Sequence, residues 1–181
     1  MVSKGEKGFT ERLVTHLREL IPSKSLLDAF RRRKKDFIRQ RLLSFARVIG
    51  ILLTGSKMSL QGRTNKFFTD LGETGGSASA MAFVKARDKI CPEVFKKLTH
   101  EVTTAFYEWF GDYGTIETYN GRRLVAIDAS DVNIPDSPET RDAFTLIDNK
   151  SGCPYVQAQT SYLCDVLNDL VLSADIGHLQ P

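Results

Sequence analysis

The amino-terminal two thirds of the chain repeat apolar residues at the three- and four-residue spacing of amphipathic helices. Together with the Pro, Gly and Ser residues that bound them, these repeats predict six helices, at about 9–21, 23–30, 36–54, 60–71, 79–90 and 92–110. The third is predicted to be buried along its length, including Phe37 and Ile38. Either Ser77 or Ser79 is the predicted cap of the fifth helix, with Phe83, Ala86 and Ile90 facing inward.

The pattern changes after residue 110, where glycines at 111, 114 and 121 interrupt the helical spacing and mark a domain boundary near 111–120. Four consecutive apolar residues, 124–127, then predict a strand buried on both faces that ends at Asp128. A long loop is predicted over 129–154. Residues 155–166 alternate apolar and polar, Asn168 and Asp169 form a turn, and 170–176 return as a strand. Three strands are therefore predicted, the last two as a hairpin.

Composition places the chain among ordinary globular proteins, with 181 residues, 41% hydrophobic and 26% charged. The longest apolar tract, 42–53, contains Ser44 and Arg47 and is shorter than the roughly 20 residues of a membrane span. No apolar signal core follows Met1, so a cytoplasmic location is predicted. The three cysteines and three histidines show no zinc-site spacing, and the cysteines are predicted to be ordinary reduced thiols, mostly packed in the interior.

Charge is divided unevenly along the chain. Residues 1–120 carry a net charge of +8 and residues 121–181 carry −5. Seven cations fall within eleven residues, and two more lie one turn apart on the fifth helix; the predicted DNA-binding residues are Arg31, Arg32, Arg33, Lys34, Lys35, Arg39, Arg41, Lys85 and Lys89. Such clusters neutralise phosphates and release counterions, although a solvated surface has the same composition.

The fourth and fifth predicted helices flank a loop that contains glycine, 72–76, and the second of them carries Lys85 and Lys89. Because a pair of helices of this kind can place its second member in the major groove, a helix-turn-helix-like arrangement is predicted. The loop is longer than the usual tight turn.

Asp128 is the candidate for chemistry. A carboxylate at the end of a buried strand faces the crevice where open α/β sheets bind ligands, and oxygen ligands suit hard cations. The alternative is a loop, 128–131, in which Asp and Ser side chains bond nearby amides.

The run 123–135, RLVAIDASDVNIP, resembles the first catalytic motif of DDE transposases of bacterial insertion sequences, in the insertion-sequence-four group. Upstream, 79–95 resembles the helical segment that precedes that motif in the same group. The resemblance implies an α+β fold: an all-helical amino-terminal domain followed by the first three strands of a truncated ribonuclease-H-like α/β domain. It divides the chain into a basic helical arm, 1–35, a helical domain, 36–115, and an incomplete catalytic domain, 120–181.

The resemblance also implies a function. In this family two Asp and one Glu hold two Mg²⁺ ions that cleave and join DNA, and Asp128 matches the first of the three. The second Asp and the Glu have no counterpart, so the chain is expected to be an amino-terminal portion that is inactive alone. The implied partners are double-stranded DNA at transposon ends and a second copy or a full-length transposase, in the bacterial nucleoid.

Two other functions fit the sequence. One is a DNA-binding or regulatory module without catalysis, in which the basic part grips DNA and the sheet is passive or mediates dimerisation. The other is a fragment of a sugar-kinase or actin-like ATPase, whose phosphate loop also follows a strand that ends in Asp and then Ser or Thr. The long connection predicted after Asp128 argues against the ATPase.

Overall fold

The computed structural model describes residues 4–39, 41–55, 57–73, 78–148 and 152–178, so the predicted cap Ser77 lies outside the described residues. The described elements are α1 (Lys4–Leu20), α2 (Lys24–Phe30), α3 (Phe45–Leu53), α4 (Leu60–Asp70), α5 (Ala80–Arg87), α6 (Glu93–Trp109), a 3₁₀ turn (Phe110–Asp112), β1 (Val125–Ile134), α7 (Pro138–Ala143), β2 (Thr145–Ile147), β3 (Tyr155–Asp165) and β4 (Leu170–Gly177). Helices and one antiparallel sheet make the fold α+β, as predicted.

The chain forms two compact units, one of residues 10–95 and the other of residues 1–9 with 96–181. These units follow from contacts within the folded chain. The predicted segments 1–35, 36–115 and 120–181 concern functional modules, and that division stays a prediction.

Serine caps define the helices of the unit 10–95. The hydroxyls of Ser23, Ser44, Ser59 and Ser79 each accept a hydrogen bond from a backbone N–H in the first turn of α2, α3, α4 and α5. Because such a bond satisfies an N–H that has no partner inside the helix, each cap fixes where its helix begins. The predicted starts of α2 and α5 and the predicted end of α4 are confirmed, and Gly72 adopts a left-handed φ of 76° just after α4.

The helix predicted over 36–54 is wrong at its amino-terminal end. Ser44 caps α3, which covers only the second half of that range. Phe37 lies at a left-handed φ of 59°, and the side chain of Ile38 is 65% exposed. The apolar spacing of Phe37 and Ile38 therefore did not indicate a helix. Phe37 adopts a left-handed conformation, and the Ser44 cap sets the start of α3.

The core of this unit lies among α3, α4 and α5. Its fully buried members are Val48, Ile49, Ile51, Phe68 and Phe83, and the predicted inward residues Ala86 and Ile90 are also buried. This packing fixes the helices against one another and presents their remaining faces to solvent.

In the other unit an aromatic cluster joins the start of α1 to the end of α6. The ring of Phe9 meets Phe106, Phe110 and Tyr113 edge to face, at centroid distances of 5.9, 5.2 and 6.3 Å. Gly5 lies so close to the Tyr113 carbonyl oxygen that a Cβ at position 5 would be 1.8 Å from it. The absence of a side chain at Gly5 is therefore a condition of this packing.

The sheet has β3 at its centre. β1 pairs with β3 along one edge, while β2 and then β4 pair with the other edge, all antiparallel. The predicted hairpin of the last two strands is confirmed as β3 and β4. The predicted total of three strands is wrong, because the region 129–154 contains the rest of β1, α7 and β2.

β1 corrects a second prediction, since it is not buried on both faces. Val125 is 44% exposed and Ile127 is 78% exposed. β1 is an edge strand, and within the described residues only β3 pairs with it. A short apolar run identifies a strand but does not reveal whether anything covers its faces.

A buried carboxylate links α6 to the β3–β4 turn. Asp165, fully buried, accepts hydrogen bonds from the Tyr107 hydroxyl (2.5 Å), the Asn168 side-chain amide (2.9 Å) and the backbone N–H groups of Leu167 and Asn168 (3.2 and 3.3 Å). Burial opposes its ionisation, but these donors outweigh burial and lower the pKa of Asp165. Burial and the bond to Asp165 raise the pKa of Tyr107, whose ring lies under the Arg123 guanidinium.

Candidate nucleic-acid interface

Backbone pairing brings the two basic segments together. The Cys91 N–H donates to the Phe30 carbonyl and the Arg32 N–H donates to the Lys89 carbonyl, both at 2.8 Å, so that Arg31 and Ile90 form an isolated antiparallel bridge. Ile90 is buried and anchors the bridge in the helical core. The cations after α2 are thereby held beside those of α5 and the turn that follows it.

A cleft of about 910 Å³ lies where these segments meet. Among the described residues that line it, Asp36 supplies the single carboxylate. The lining also includes six of the nine predicted DNA-binding cations: Arg33, Lys35, Arg39, Arg41, Lys85 and Lys89. Apolar side chains complete the lining: Phe37, Ile38, Leu42, Leu43, Ala78, Ala82 and Ala86. A concentrated positive potential beside apolar surface attracts anionic ligands that also carry an apolar part.

The other three predicted cations lie outside this lining. Arg31 is half-buried and pairs with Asp28 at 2.5 Å, and its Nη1 also donates to the Asp36 carbonyl at 3.5 Å. The Arg32 Nε donates to the Ile90 carbonyl at 3.5 Å. Arg32 thus adds a side-chain contact across the bridge, Arg31 ties α2 to the turn at Asp36, and Lys34 is exposed outside the lining.

A tight turn shapes one wall of the cleft. The Asp36 N–H donates to the Arg33 carbonyl at 2.9 Å, and the Asp36 carboxylate accepts from the Arg33 N–H at 3.1 Å. Phe37 follows in the left-handed region, which bulky residues rarely adopt, and its ring packs edge to face on Phe45 at 5.6 Å. Contact with the buried Phe45 holds this strained residue and therefore the loop that carries Ile38 and Arg39.

Two side chains outside the predicted DNA-binding set, Gln61 and Arg47, fix the other walls. Gln61 on α4 accepts from the Ala80 N–H at 2.8 Å and donates to the Ala78 carbonyl at 3.1 Å, which positions the start of α5. Arg47 donates to the Leu42 carbonyl at 3.0 Å and forms an ion pair with Glu73. Neither contact has a recognisable sequence pattern, because each joins a side chain to distant backbone or to a distant carboxylate.

Asp128 lies elsewhere and in a different setting from the one predicted. It stands in the middle of β1 opposite Tyr162, is exposed, and accepts a hydrogen bond from the Ala129 N–H at 2.9 Å. Neither the basic cleft nor a smaller depression at residues 136–142 includes it. β1 continues through 129–131, so further strand residues follow Asp128 instead of the start of the long loop predicted over 129–154.

The residues around Asp128 do not fit a two-metal centre. Within the described part of the chain no group of three or more His, Cys, Asp or Glu side chains could hold a metal ion. The nearest acidic neighbour along β1, Asp131, falls on the opposite face, since successive residues of a strand alternate. No catalytic step through a metal follows from these residues alone.

Comparisons of the chain with protein-family models, with curated proteins and with solved structures found no match. Among the described helices, none has the length and apolar character needed to cross a membrane.

Proposed function

We propose that this chain binds DNA through the basic cleft of the unit 10–95. The observation that carries the proposal is the meeting of two separate groups of cations in one concave surface, one from residues 33–39 and Arg41 and the other from Lys85 and Lys89. Six cations against one carboxylate match a phosphodiester backbone, and each neutralised phosphate would release condensed counterions.

We further propose that the chain is the amino-terminal portion of a DDE transposase, which binds transposon-end DNA and pairs with a second copy or with full-length transposase. Support comes from the resemblance of 123–135 to the first catalytic motif. The antiparallel order β1–β3–β4 is also compatible with the opening of a ribonuclease-H-like sheet. Asp128 would then act only in a complete catalytic domain that supplies further Mg²⁺ ligands, and this chain alone would bind DNA without cleaving it.

The DNA-binding proposal predicts that the loss of DNA affinity on charge reversal depends on where the reversed cations lie and not only on the net charge of the chain. The double variant Lys35→Glu, Lys85→Glu reverses one exposed cation in each cleft segment, whereas Lys57→Glu, Lys66→Glu makes the same charge change elsewhere on this unit. Affinity for a fluorescent duplex is measured by anisotropy over a range of salt concentrations. The cleft variant is expected to bind at least tenfold more weakly, and to reduce the slope of log K against log salt by about 2 in magnitude, since each lost phosphate contact removes about 0.9.

Asp128→Ala is expected to leave duplex affinity unchanged. The proposal is overturned if the Lys57 and Lys66 reversal weakens binding as much as the cleft reversal does. Strand cleavage by the wild-type chain with Mg²⁺, abolished in Asp128→Ala, would overturn the claim that the chain does not cut DNA alone.

A further inference from the structure

The cleft offers apolar surface that an intact duplex does not use. Ile38 is 65% exposed and Leu42 is 39% exposed, and both line the cleft beside Arg39 and Arg41. A duplex presents phosphates outward and keeps the faces of its bases stacked on one another. Phosphate contacts alone therefore leave this surface in water.

The size of the cleft indicates a smaller occupant than a double helix. Its volume of about 910 Å³ falls within the roughly 300–1,000 Å³ of clefts that enclose small ligands. One or two unstacked nucleotides fit such a space, each with a charged phosphate and an apolar base face. The lining has both complementary parts, cations and exposed aliphatic side chains, within the same cavity.

The apolar wall is held in shape without a ligand. Arg47 fixes the Leu42 carbonyl at 3.0 Å, and the contact between Phe37 and Phe45 fixes the loop before Ile38. Walls fixed in advance lower the entropy cost of binding, because they need not be ordered by the ligand. An exposed apolar surface that is held in shape in this way is characteristic of a surface that contacts a ligand or partner.

We propose that the cleft receives an unpaired nucleotide at the end of a DNA duplex. Phosphates flanking this nucleotide meet the cations, and its base lies against Ile38 and Leu42. This inference rests on the proposed DNA binding and adds a preference for frayed or single-stranded ends. An acidic amphipathic peptide has related chemistry, but it lacks the closely spaced charges that six convergent cations match.

The test compares a blunt fluorescent duplex with the same duplex extended by a short thymidine overhang. Wild-type protein is expected to bind the overhang roughly 5- to 30-fold more tightly, which is the size of effect expected when a base covers the exposed apolar surface of two aliphatic side chains. Ile38→Ser is expected to remove most of this preference, because it weakens binding of the overhang DNA much more than binding of the blunt duplex. Leu53→Ser is the matched control, because Leu53 is similarly exposed, at 55%, on the same unit but outside the cleft.

The outcomes separate this inference from the proposal on which it rests. Equal binding of both DNAs by the wild type overturns the inference and leaves duplex binding standing. Failure to bind either DNA overturns both. An equal loss of preference in Ile38→Ser and Leu53→Ser, with both variants folded by circular dichroism, also overturns the inference. Displacement of the overhang DNA by poly-glutamate at lower charge concentration than by unlabelled overhang DNA would assign the cleft to an acidic peptide instead.

Discussion

Substitution of Asp165 tests whether its buried, hydrogen-bonded carboxylate stabilises the attachment of the sheet to α6. Asp165→Asn keeps the shape of the side chain and one oxygen but replaces the other oxygen with an NH₂ group. With the remaining oxygen toward the turn, the backbone N–H groups of Leu167 and Asn168 keep their acceptor. The Tyr107 hydroxyl and the Asn168 amide, which now donate to Oδ2 at 2.5 and 2.9 Å, lose theirs.

The magnitude follows from these two donors. A buried donor that loses its acceptor costs about 1–3 kcal/mol. The half-buried Asn168 amide keeps its second hydrogen bond, to the Glu117 carbonyl at 3.1 Å, so the free energy of unfolding of this unit is expected to fall by about 2–4 kcal/mol. Asp175→Asn is the matched control, since Asp175 lies on the adjacent strand and its ion pair with Lys96 at 3.0 Å is solvent-exposed. The control is expected to have a much smaller effect.

Trp109 provides the assay because it is the only tryptophan and lies at the end of α6, in the unit that contains Asp165. Urea unfolding followed by its fluorescence gives the free energy of this unit. The lowered pKa of Asp165 means that its stabilisation is complete above the ordinary carboxyl pKa of 3.8 and is lost as pH falls through the lower pKa of the folded state. The role assigned to Asp165 would be refuted if Asp165→Asn and Asp175→Asn lowered the free energy of unfolding equally at pH 7. It would also be refuted if the difference in free energy between the two variants were the same at pH 2 as at pH 7.

Two further predictions concern packing and association. One edge of β1 is paired with no strand among the described residues, and this edge is expected to promote self-association. Ile127→Lys should therefore lower the concentration-dependent rise in sedimentation coefficient, whereas Met81→Lys, similarly exposed on α5, should not. Equal behaviour of the two variants would contradict this prediction. Gly5→Ala is expected to destabilise the unit that contains residues 1–9 by about 1–3 kcal/mol in thermal unfolding, because the new Cβ would collide with the Tyr113 carbonyl. Gly111→Ala is the control, since a Cβ at position 111 would have no heavy atom within 4 Å. An equal loss of stability in the two variants would show that the close approach at Gly5 is unimportant.

Local sequence patterns predicted the ends of a helix correctly where a capping residue stood next to the first or last apolar residue of the helical spacing. α2 and α5 begin where a serine precedes the first apolar position, and α4 ends where Gly72 supplies a left-handed residue. Such features act over one helical turn, so neighbouring residues contain the information. The prediction failed at Phe37, where apolar spacing continued through a turn that contact with Phe45 holds in place.

Predictions for the sheet were less accurate because they concerned the burial of each strand, which depends on residues far away in sequence. The alternation of β3 was visible, and Val156 and Ala158 are indeed buried. Nothing in the run 124–127 distinguishes a central strand from an exposed edge strand, and nothing marks Asp128 as the middle rather than the end of β1. The role predicted for Asp128 stays a prediction that depends on residues beyond its own strand.

The basic cleft shows why composition identified the cations but not the site. Charge runs locate Lys and Arg along the sequence, but their convergence depends on two backbone hydrogen bonds between Phe30 and Cys91 and between Arg32 and Lys89. Backbone groups leave no trace in residue type, so this bridge is invisible to pattern analysis. The cations also divide into those engaged in structural contacts, such as Arg31 with Asp28 and the Asp36 carbonyl, and those that line the cleft. Substitution of Arg31 should therefore weaken DNA binding through loss of structure, whereas substitution of Lys85 should do so with folding intact.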